Sequence, residues 1–447
     1  MEDTICAVAT SLGVGAISII RLSGPNAINI VNSIFSSDIT KVKSHSIKYG
    51  HIIYNKEVID EVLLMIMKGP KTYTTEDVVE INSHGGYNTT NRILEILLHE
   101  GCRLAEPGEF TKRAFLNGRI NLLESEAVNE LIMAKTDSKR KLSLNQLGGN
   151  LTKKLNAIRD ELLSLMANIE VNIDYPEYTD NLVITENLLK DRLVSIREDL
   201  QKLVNGAKYG KIVSNGINVA IVGKPNVGKS SILNHLLDEK KAIVTDVAGT
   251  TRDIVEGTIS LNGIEVNLID TAGIHETSDI VEKIGVERSE EALSSADVVL
   301  LVLDGSRELD EDDLSLIEKV KDKKYITLVN KSDQTLKIDT SKLDNIILGN
   351  TMSLDGLDVL KNKLIEMFNI NDINKDLTYL SNARQTDLVN KAAESLENAN
   401  NAIISGIPMD MIESDLRACY EYLGQIIGDT YEEAVIDRLF RDFCVGK

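Results

Sequence analysis

The sequence predicts a chain that combines α/β and all-α parts. An α+β domain comes first. An α/β domain with a phosphate-binding loop is then inserted between the two halves of a discontinuous helical bundle. Three observations predict this. Gly223-Lys224-Pro225-Asn226-Val227-Gly228-Lys229-Ser230 fits G-x-x-x-x-G-K-[ST] at every required position. Apolar stripes stepping by three and four residues lie on both sides of that loop, at 144–203 and 388–427. The first 118 residues alternate short apolar runs with helical spacing, a mixed texture. The expected boundaries are 1–118, 119–213, 214–372 and 373–447.

Composition narrows the class. A chain of 447 residues has room for about three domains. No apolar run approaches the roughly 20 residues that span a bilayer, so no membrane association is expected. The start, Met1-Glu2-Asp3-Thr4, lacks the positive region of a leader. Cys6, Cys102, Cys419 and Cys444 form no C-x-x-C pair, which suits a reducing cytoplasm. A net charge of −20 argues against broad electrostatic binding to nucleic acid, so any RNA contact is expected through a local patch or a partner. Clusters such as Lys139-Arg140-Lys141 read as solvated helix faces.

In the first domain, 16–22 reads as a strand ended by Ser23-Gly24-Pro25, and 26–35 as a short helix. Strands are expected at 47–54, 62–67 and 78–83. A helix over 87–100 is stopped by Gly101. Arg21 ends an apolar strand, Glu80 interrupts Val78-Val79-Glu80-Ile81, and His84-Gly85-Gly86 follows. Glu80 fits either the solvent face of its strand or a pocket carboxylate that recognises ligand N–H groups, as on a pterin ring.

The helical part begins with Leu144, Leu147, Leu151, Leu155, Ile158, Leu162, Leu165 and Ile169. These predict one long amphipathic helix, ended at Asp174-Tyr175-Pro176. Leu189, Leu193, Ile196, Leu200 and Leu203 predict a second, stopped by Gly206. After the inserted domain, 388–403 and 416–427 repeat the texture. Each stripe needs a partner, so both halves are expected to share one bundle.

In the inserted domain, the apolar run 217–222, the glycine loop and the helix-like 231–237 make a strand–loop–helix unit. Such a unit aims backbone N–H groups at phosphate oxygens. Lys229 is expected on the β- and γ-phosphates and Ser230 on Mg²⁺. Asp270-Thr271-Ala272-Gly273 follows a second apolar run, where the Asp reaches the Mg²⁺ shell and the Gly273 N–H the γ-phosphate. Asn330-Lys331-Ser332-Asp333 matches N-K-x-D. Its Asp accepts two hydrogen bonds from guanine that adenine cannot supply, so the nucleotide is GTP. Ser353 and Leu354 stand where a base-contacting motif is usual. The loop 245–253 is the expected first switch, in which Thr250 and Thr251 compete as the γ-phosphate-sensing Mg²⁺ ligand. The domain is therefore of the Ras-like kind, with one departure. Ile274 stands where Ras-like enzymes carry the Gln that orients water. Acidic residues nearby, Glu276, Asp279, Glu282 and Glu287, are candidates for that role. A monovalent cation held by Asn226 and carbonyls of 245–250 is a candidate for the missing positive charge.

The chain ends Phe443-Cys444-Val445-Gly446-Lys447. With 3–10, 20–24, 80–86, 106–119 and Gly249-Thr250-Thr251-Arg252-Asp253, this C-x-G-K ending resembles the MnmE (TrmE) family of tRNA-modification GTPases over essentially the whole chain. The resemblance implies a tetrahydrofolate-binding N-terminal domain that forms a homodimer. Arg21, Glu80, Arg119 and Lys447 match the positions that hold the 5-formyl- or methylene-tetrahydrofolate. The family often has Lys where Arg119 stands. Cys444 would lie near that pocket, in a chemical or a structural role.

The resemblance also places GTP on Asn226, Val227, Gly228, Lys229, Ser230 and Ser231. Further GTP contacts fall on Thr245, Asp246, Val247, Ala248, Gly249, Thr250, Thr251, Asp270, Thr271, Ala272, Gly273, Asn330, Lys331, Asp333, Ser353 and Leu354. Mg²⁺ falls on Ser230 and Thr251, and K⁺ on Asn226, Thr245, Val247 and Thr250. Glu282 matches the acid that orients the attacking water. The implied partner is the FAD-dependent MnmG protein, in a heterotetramer that modifies carbon 5 of the tRNA wobble uridine. Two other readings are a ribosome-assembly GTPase of the Era/Der type, which lacks the first domain and the tail, and a GTP-switched scaffold without modification chemistry.

Overall fold

The computed structural model describes residues 3–11, 13–174, 186–238, 257–270, 293–350, 356–431 and 433–446. Two compact units result. One holds residues 1–129, 147–166 and 416–447, and the other 130–146 and 167–415.

The first unit is built on a sheet of β1 (Ile5–Val8), β2 (Ile17–Ser23), β3 (Ser46–Tyr54), β4 (Glu57–Met67), β5 (Val78–His84) and β6 (Arg103–Leu104), in the order β3-β4-β5-β2-β1-β6. Alternation decides its faces. Ile20, Leu22, Val62, Leu64, Ile66, Val79 and Ile81 are buried on one face. They share a core with α1 (Ala27–Ile34) and α2 (Tyr87–His99). On the other face, Arg21 of β2 stands opposite Glu80 of β5. Then follow α3 (Glu109–Leu116) and α4 (Leu122–Ile132). The expected strands and helices of this part all form. β1 and β6 are additional, too short to leave a periodic signal.

Two helical expectations need correction. The stripe from Leu144 is not one helix but two, α5 (Asp137–Leu147) and α6 (Asn150–Asp174). The break is Gly148-Gly149, where Gly149 adopts a left-handed φ of 74° that other residues avoid. Nor does Gly206 stop the next helix, because α7 runs from Glu186 to Asn215. Gly206 and Gly210 instead admit close neighbours. A Cβ on Gly210 would stand 1.8 Å from the Leu380 carbonyl oxygen, and one on Gly206 3.0 Å from Tyr379.

The second unit contains β7 (Ile217–Val222), α8 (Lys229–Asp238), β8 (Gly257–Leu261), β9 (Ile264–Asp270), β10 (Val298–Asp304), α9 (Glu311–Val320), β11 (Tyr325–Asn330), β12 (Ile346–Leu348), α10 (Leu357–Met367) and α11 (Ile370–Ile373). The sheet order is β12-β11-β10-β7-β9-β8, parallel except for β8. Val298–Leu303 are buried without a break, as in a parallel strand covered on both faces. β9 lies on one side of β7 and β10 on the other. The C-terminal end of β7 is therefore a topological switch point, where such sheets hold ligands.

The core of this unit reaches beyond the sheet. Leu142 of α5, Val213 of α7, and Ile370 and Ile373 of α11 join its central apolar cluster. The turn between β8 and β9 is gripped from the same side. Ser138 Oγ donates to Asn374 Oδ1 at 2.7 Å, and Asn374 Nδ2 donates to the Asn262 carbonyl at 2.8 Å. A Cβ on Gly263 would fall 2.4 Å from Ser138 Oγ.

After the inserted domain come α12 (Ala383–Ile404), α13 (Met409–Ile427) and α14 (Glu433–Arg441). α12 packs along α7. In the first unit, Phe440 and Phe443 close over Phe115 of α3 and Leu122 of α4.

Candidate functional site

Four parallel strands end at one edge of the second sheet, at Val222, Asp270, Asp304 and Asn330. The phosphate loop leaves β7 at that edge and turns into α8. Its path needs two left-handed residues, Asn226 at φ 64° and Gly228 at φ 104°. A Cβ on Gly223 would come within 2.4 Å of the Val302 carbonyl oxygen, so the first position of the motif must be Gly. Lys229 is almost fully buried. Its Nζ donates to the carbonyls of Gly223 at 2.6 Å and Lys224 at 2.9 Å, which folds the ammonium back over the loop. Asn226, Ser230 and Ser231 are exposed, and Val227 is buried beneath them.

The N-K-x-D segment joins this loop. Asn330, buried at the end of β11, donates from Nδ2 to the Val227 carbonyl at 2.7 Å. Its amide therefore locks the phosphate loop to the segment carrying Asp333, which is exposed two residues beyond Lys331. Lys331 is left-handed at φ 62°, and its Nζ pairs with Asp304 Oδ2 at 2.6 Å. Asp304 was not anticipated, although it ends a parallel strand as Asp270 does. Burial favours the neutral Asp304 carboxyl, but Lys331 and the Ser306 hydroxyl and N–H outweigh it and hold it below the usual carboxylate range.

Asp270 ends β9, in register with Ile221. Thr245, Asp246, Val247, Ala248, Gly249, Thr250, Thr251, Thr271, Ala272, Gly273, Glu282, Ser353, Leu354 and Lys447 lie outside the described residues, as do Ile274 and the other acidic candidates.

A second constellation lies in the first unit. Arg21 Nε donates to Glu80 Oε1 at 2.8 Å, and both side chains are largely buried. Of the two readings of Glu80, the solvent-face one is overturned. Tyr73, Phe110 of α3 and the C-terminal tail all meet Arg21 on this face. Arg21 Nη1 donates to the Gly446 carbonyl at 3.2 Å, and the Gly108 N–H donates to the Cys444 carbonyl at 3.3 Å. The Arg21 guanidinium lies 5.7 Å from the ring centres of both Tyr73 and Phe110, and that of Arg119 lies 4.6 Å from Tyr73. Arg21, Glu80 and Arg119 thus gather around one tyrosine, with Gly446 delivering the tail. The Cys444 side chain is exposed. Tyr73 had no sequence signal, since it sits in no periodic run, whereas Gly446 belongs to the C-x-G-K ending.

Gly446 adopts φ 91°, and a Cβ there would stand 2.5 Å from the Val8 carbonyl oxygen. Gly446→Ala is expected to displace the tail without unfolding the unit. Amide hydrogen exchange across 443–446 should then rise at least about tenfold, the equivalent of roughly 1.4 kcal/mol, while the exchange of β2 and β5 stays unchanged.

Residues 4–119 match the family described as GTP-binding protein TrmE N-terminus, and residues 122–444 match the MnmE helical domain. The tRNA modification GTPase MnmE of Enterococcus faecalis is 49% identical over 457 aligned positions, which cover 100% of this chain and 98% of that protein. The protein of the same name from Bacillus mycoides is 49% identical, covering 100% and 99%. Among solved structures, the G domain of the T. maritima FeoB iron transporter is 32% identical, covering 34% of this chain and 97% of that one, with a TM-score of 0.26. On its full-length identity to these relatives and its two domain matches, the chain belongs to the MnmE family of tRNA modification GTPases.

Proposed function

We propose that this protein hydrolyses GTP at the phosphate-loop edge of the second unit and uses it to modify carbon 5 of the tRNA wobble uridine. In this reading it works as a homodimer with the FAD-dependent MnmG protein and takes its carbon from a tetrahydrofolate derivative. The observation that carries the reading is the hydrogen bond from Asn330 to Val227, which makes one site of the phosphate loop and the guanine motif. Full-length similarity to proteins named tRNA modification GTPase supports the substrate.

The phosphate-loop edge has the chemistry to hold Mg²⁺. The exposed Ser230 hydroxyl opens α8, and Asp270 ends the neighbouring strand in register with Ile221. Ser and Asp are residue types with the oxygen donors that Mg²⁺ requires. Ser230 and Thr251 would hold Mg²⁺, which neutralises phosphate charge when bound. Asn226, Thr245, Val247 and Thr250 would hold K⁺, and Glu282 would orient the water. In the first unit, Glu80 would accept from pterin N–H groups, while Arg21, Arg119 and Lys447 would meet the rest of the folate.

The test is twofold. GTP turnover by the full chain is expected to be at least about tenfold faster in KCl than in NaCl; equal rates would remove Asn226 from a cation site. 5-Formyl-tetrahydrofolate is expected to bind the wild type but not Glu80→Ala. Wobble-uridine mass analysis of cells lacking the gene, with and without complementation, then decides the modification.

A further inference from the structure

We propose that Asp304 is a positioning residue of the guanine site, acting through Lys331. This rests on the GTP reading above and adds to it a residue outside the N-K-x-D segment. Asp304 is the last residue of β10, at the same sheet edge as the phosphate loop. Its carboxylate is held on both oxygens. Oδ1 accepts from the Ser306 N–H at 2.9 Å and from Ser306 Oγ at 2.6 Å. Oδ2 accepts from Lys331 Nζ at 2.6 Å. The first two bonds fix the carboxylate, and the third fixes the lysine.

The lysine needs fixing. Its left-handed backbone, φ 62°, is costly for a residue other than glycine. The chain takes that conformation between two anchored neighbours. Asn330 on one side is tied to Val227, and the Ser332 N–H on the other donates to the Gly349 carbonyl at 3.1 Å. The Gly305 N–H also donates to the Asn330 carbonyl at 2.9 Å, so the ends of β10 and β11 are clamped by backbone as well as by the ion pair. Lys331 is therefore a strut between the strand end and the base-reading segment. Its four methylenes are drawn along a defined line by the charge at its tip. A lysine stem so held presents an apolar surface of fixed position beside Asp333, the kind of surface on which a purine face rests. Asp304 touches no base edge in this scheme, so it affects how tightly any purine of suitable edge is held and not which edge is chosen.

The test uses the full chain, with equilibrium binding of fluorescent GDP and GTP, steady-state hydrolysis, and a double-mutant cycle. Asp304→Asn is expected to raise Kd for GDP and GTP about tenfold. KM should rise with it, while kcat at saturating GTP changes less than about twofold. The ratio of GTP to ITP affinity should stay the same, because inosine differs only at the edge that Asp333 reads. Lys331→Ala combined with Asp304→Asn should cost no more than Lys331→Ala alone, since the two act as one unit. Thermal unfolding of each variant reports any loss of fold, and Ser306→Ala, expected to weaken binding about threefold, gives a milder second variant. Additive losses in the cycle, an altered GTP-to-ITP ratio, or unchanged Kd in Asp304→Asn would each overturn the proposal. Failure of the wild type to bind GTP would instead overturn the GTP reading itself.

Discussion

Lys229→Ala is expected to lower kcat/KM for GTP by at least about 10²–10³, the usual loss when one charge-stabilising donor is removed from a preorganised site. The physical basis is the placement of the ammonium. It is 6% exposed, held over the loop by the carbonyls of Gly223 and Lys224. A charge so desolvated acts on phosphate oxygens far more strongly than one in water. Its two carbonyl contacts also shape the loop, so truncation should loosen GDP as well as GTP. Lys229→Arg should not restore the rate, since a planar guanidinium cannot place three donors around one nitrogen. Phosphate release measured at several GTP concentrations separates binding from turnover, and far-UV circular dichroism reports the fold. A loss of less than threefold would place the phosphates elsewhere.

The second large effect is structural. Arg113 has a fully buried side chain and meets three carboxylates. Its Nη2 donates to Asp3 at 2.7 Å and Glu109 at 3.1 Å, and its Nη1 to Glu76 at 3.2 Å. Arg103 completes the cluster by pairing with both Asp3 and Glu109. Arg113→Met is expected to destabilise the first unit by about 3–5 kcal/mol, because it leaves the largely buried Glu76 without its cation and takes one of two from Glu109. Chemical denaturation should show the loss directly.

The same cluster sets an acid limit. Burial raises the Glu109 pKa, but Arg103, the Glu106 N–H and Arg113 together hold it below the usual value. Asp3 is lowered likewise, with burial opposed by Arg103 and Arg113. A depressed folded pKa contributes stability above the unfolded value of roughly 4, and that stability is lost as pH falls through the folded value. In wild type, stability should therefore decline below about pH 4. In Arg113→Met that part of the decline should shrink but not vanish, because Arg103 still lowers both carboxyls. Equal acid slopes in the two proteins would contradict this origin.

The phosphate loop and N-K-x-D were legible because their chemistry demands fixed residues at fixed spacing. The long helices were legible because burying one face imposes steps of three and four. What escaped notice shares a cause. Arg113, Glu76 and Glu109 are charged, and charged residues read as surface until their partners are known. Arg21 and Gly446 stand 425 positions apart, so no local pattern links them. Gly148-Gly149 broke a stripe that Leu144, Leu147 and Leu151 carried across without a change of step. Gly206, in turn, looked like a stop and is a notch, because a glycine's meaning depends on what approaches it.

The gripped turn at Asn262-Gly263 makes β9 a connecting rod. A strand of seven residues is about 23 Å long and hardly stretches. One end of the rod is Asp270, at the edge where the phosphate loop opens. The other follows a turn clasped by Ser138 and Asn374, which belong to α5 and the segment just after α11. Asn-Gly turns commonly tolerate inserted residues, yet this one has no room for a single added carbon. Slack at that clasp would loosen the tie between the β8–β9 turn and the segments that carry Ser138 and Asn374.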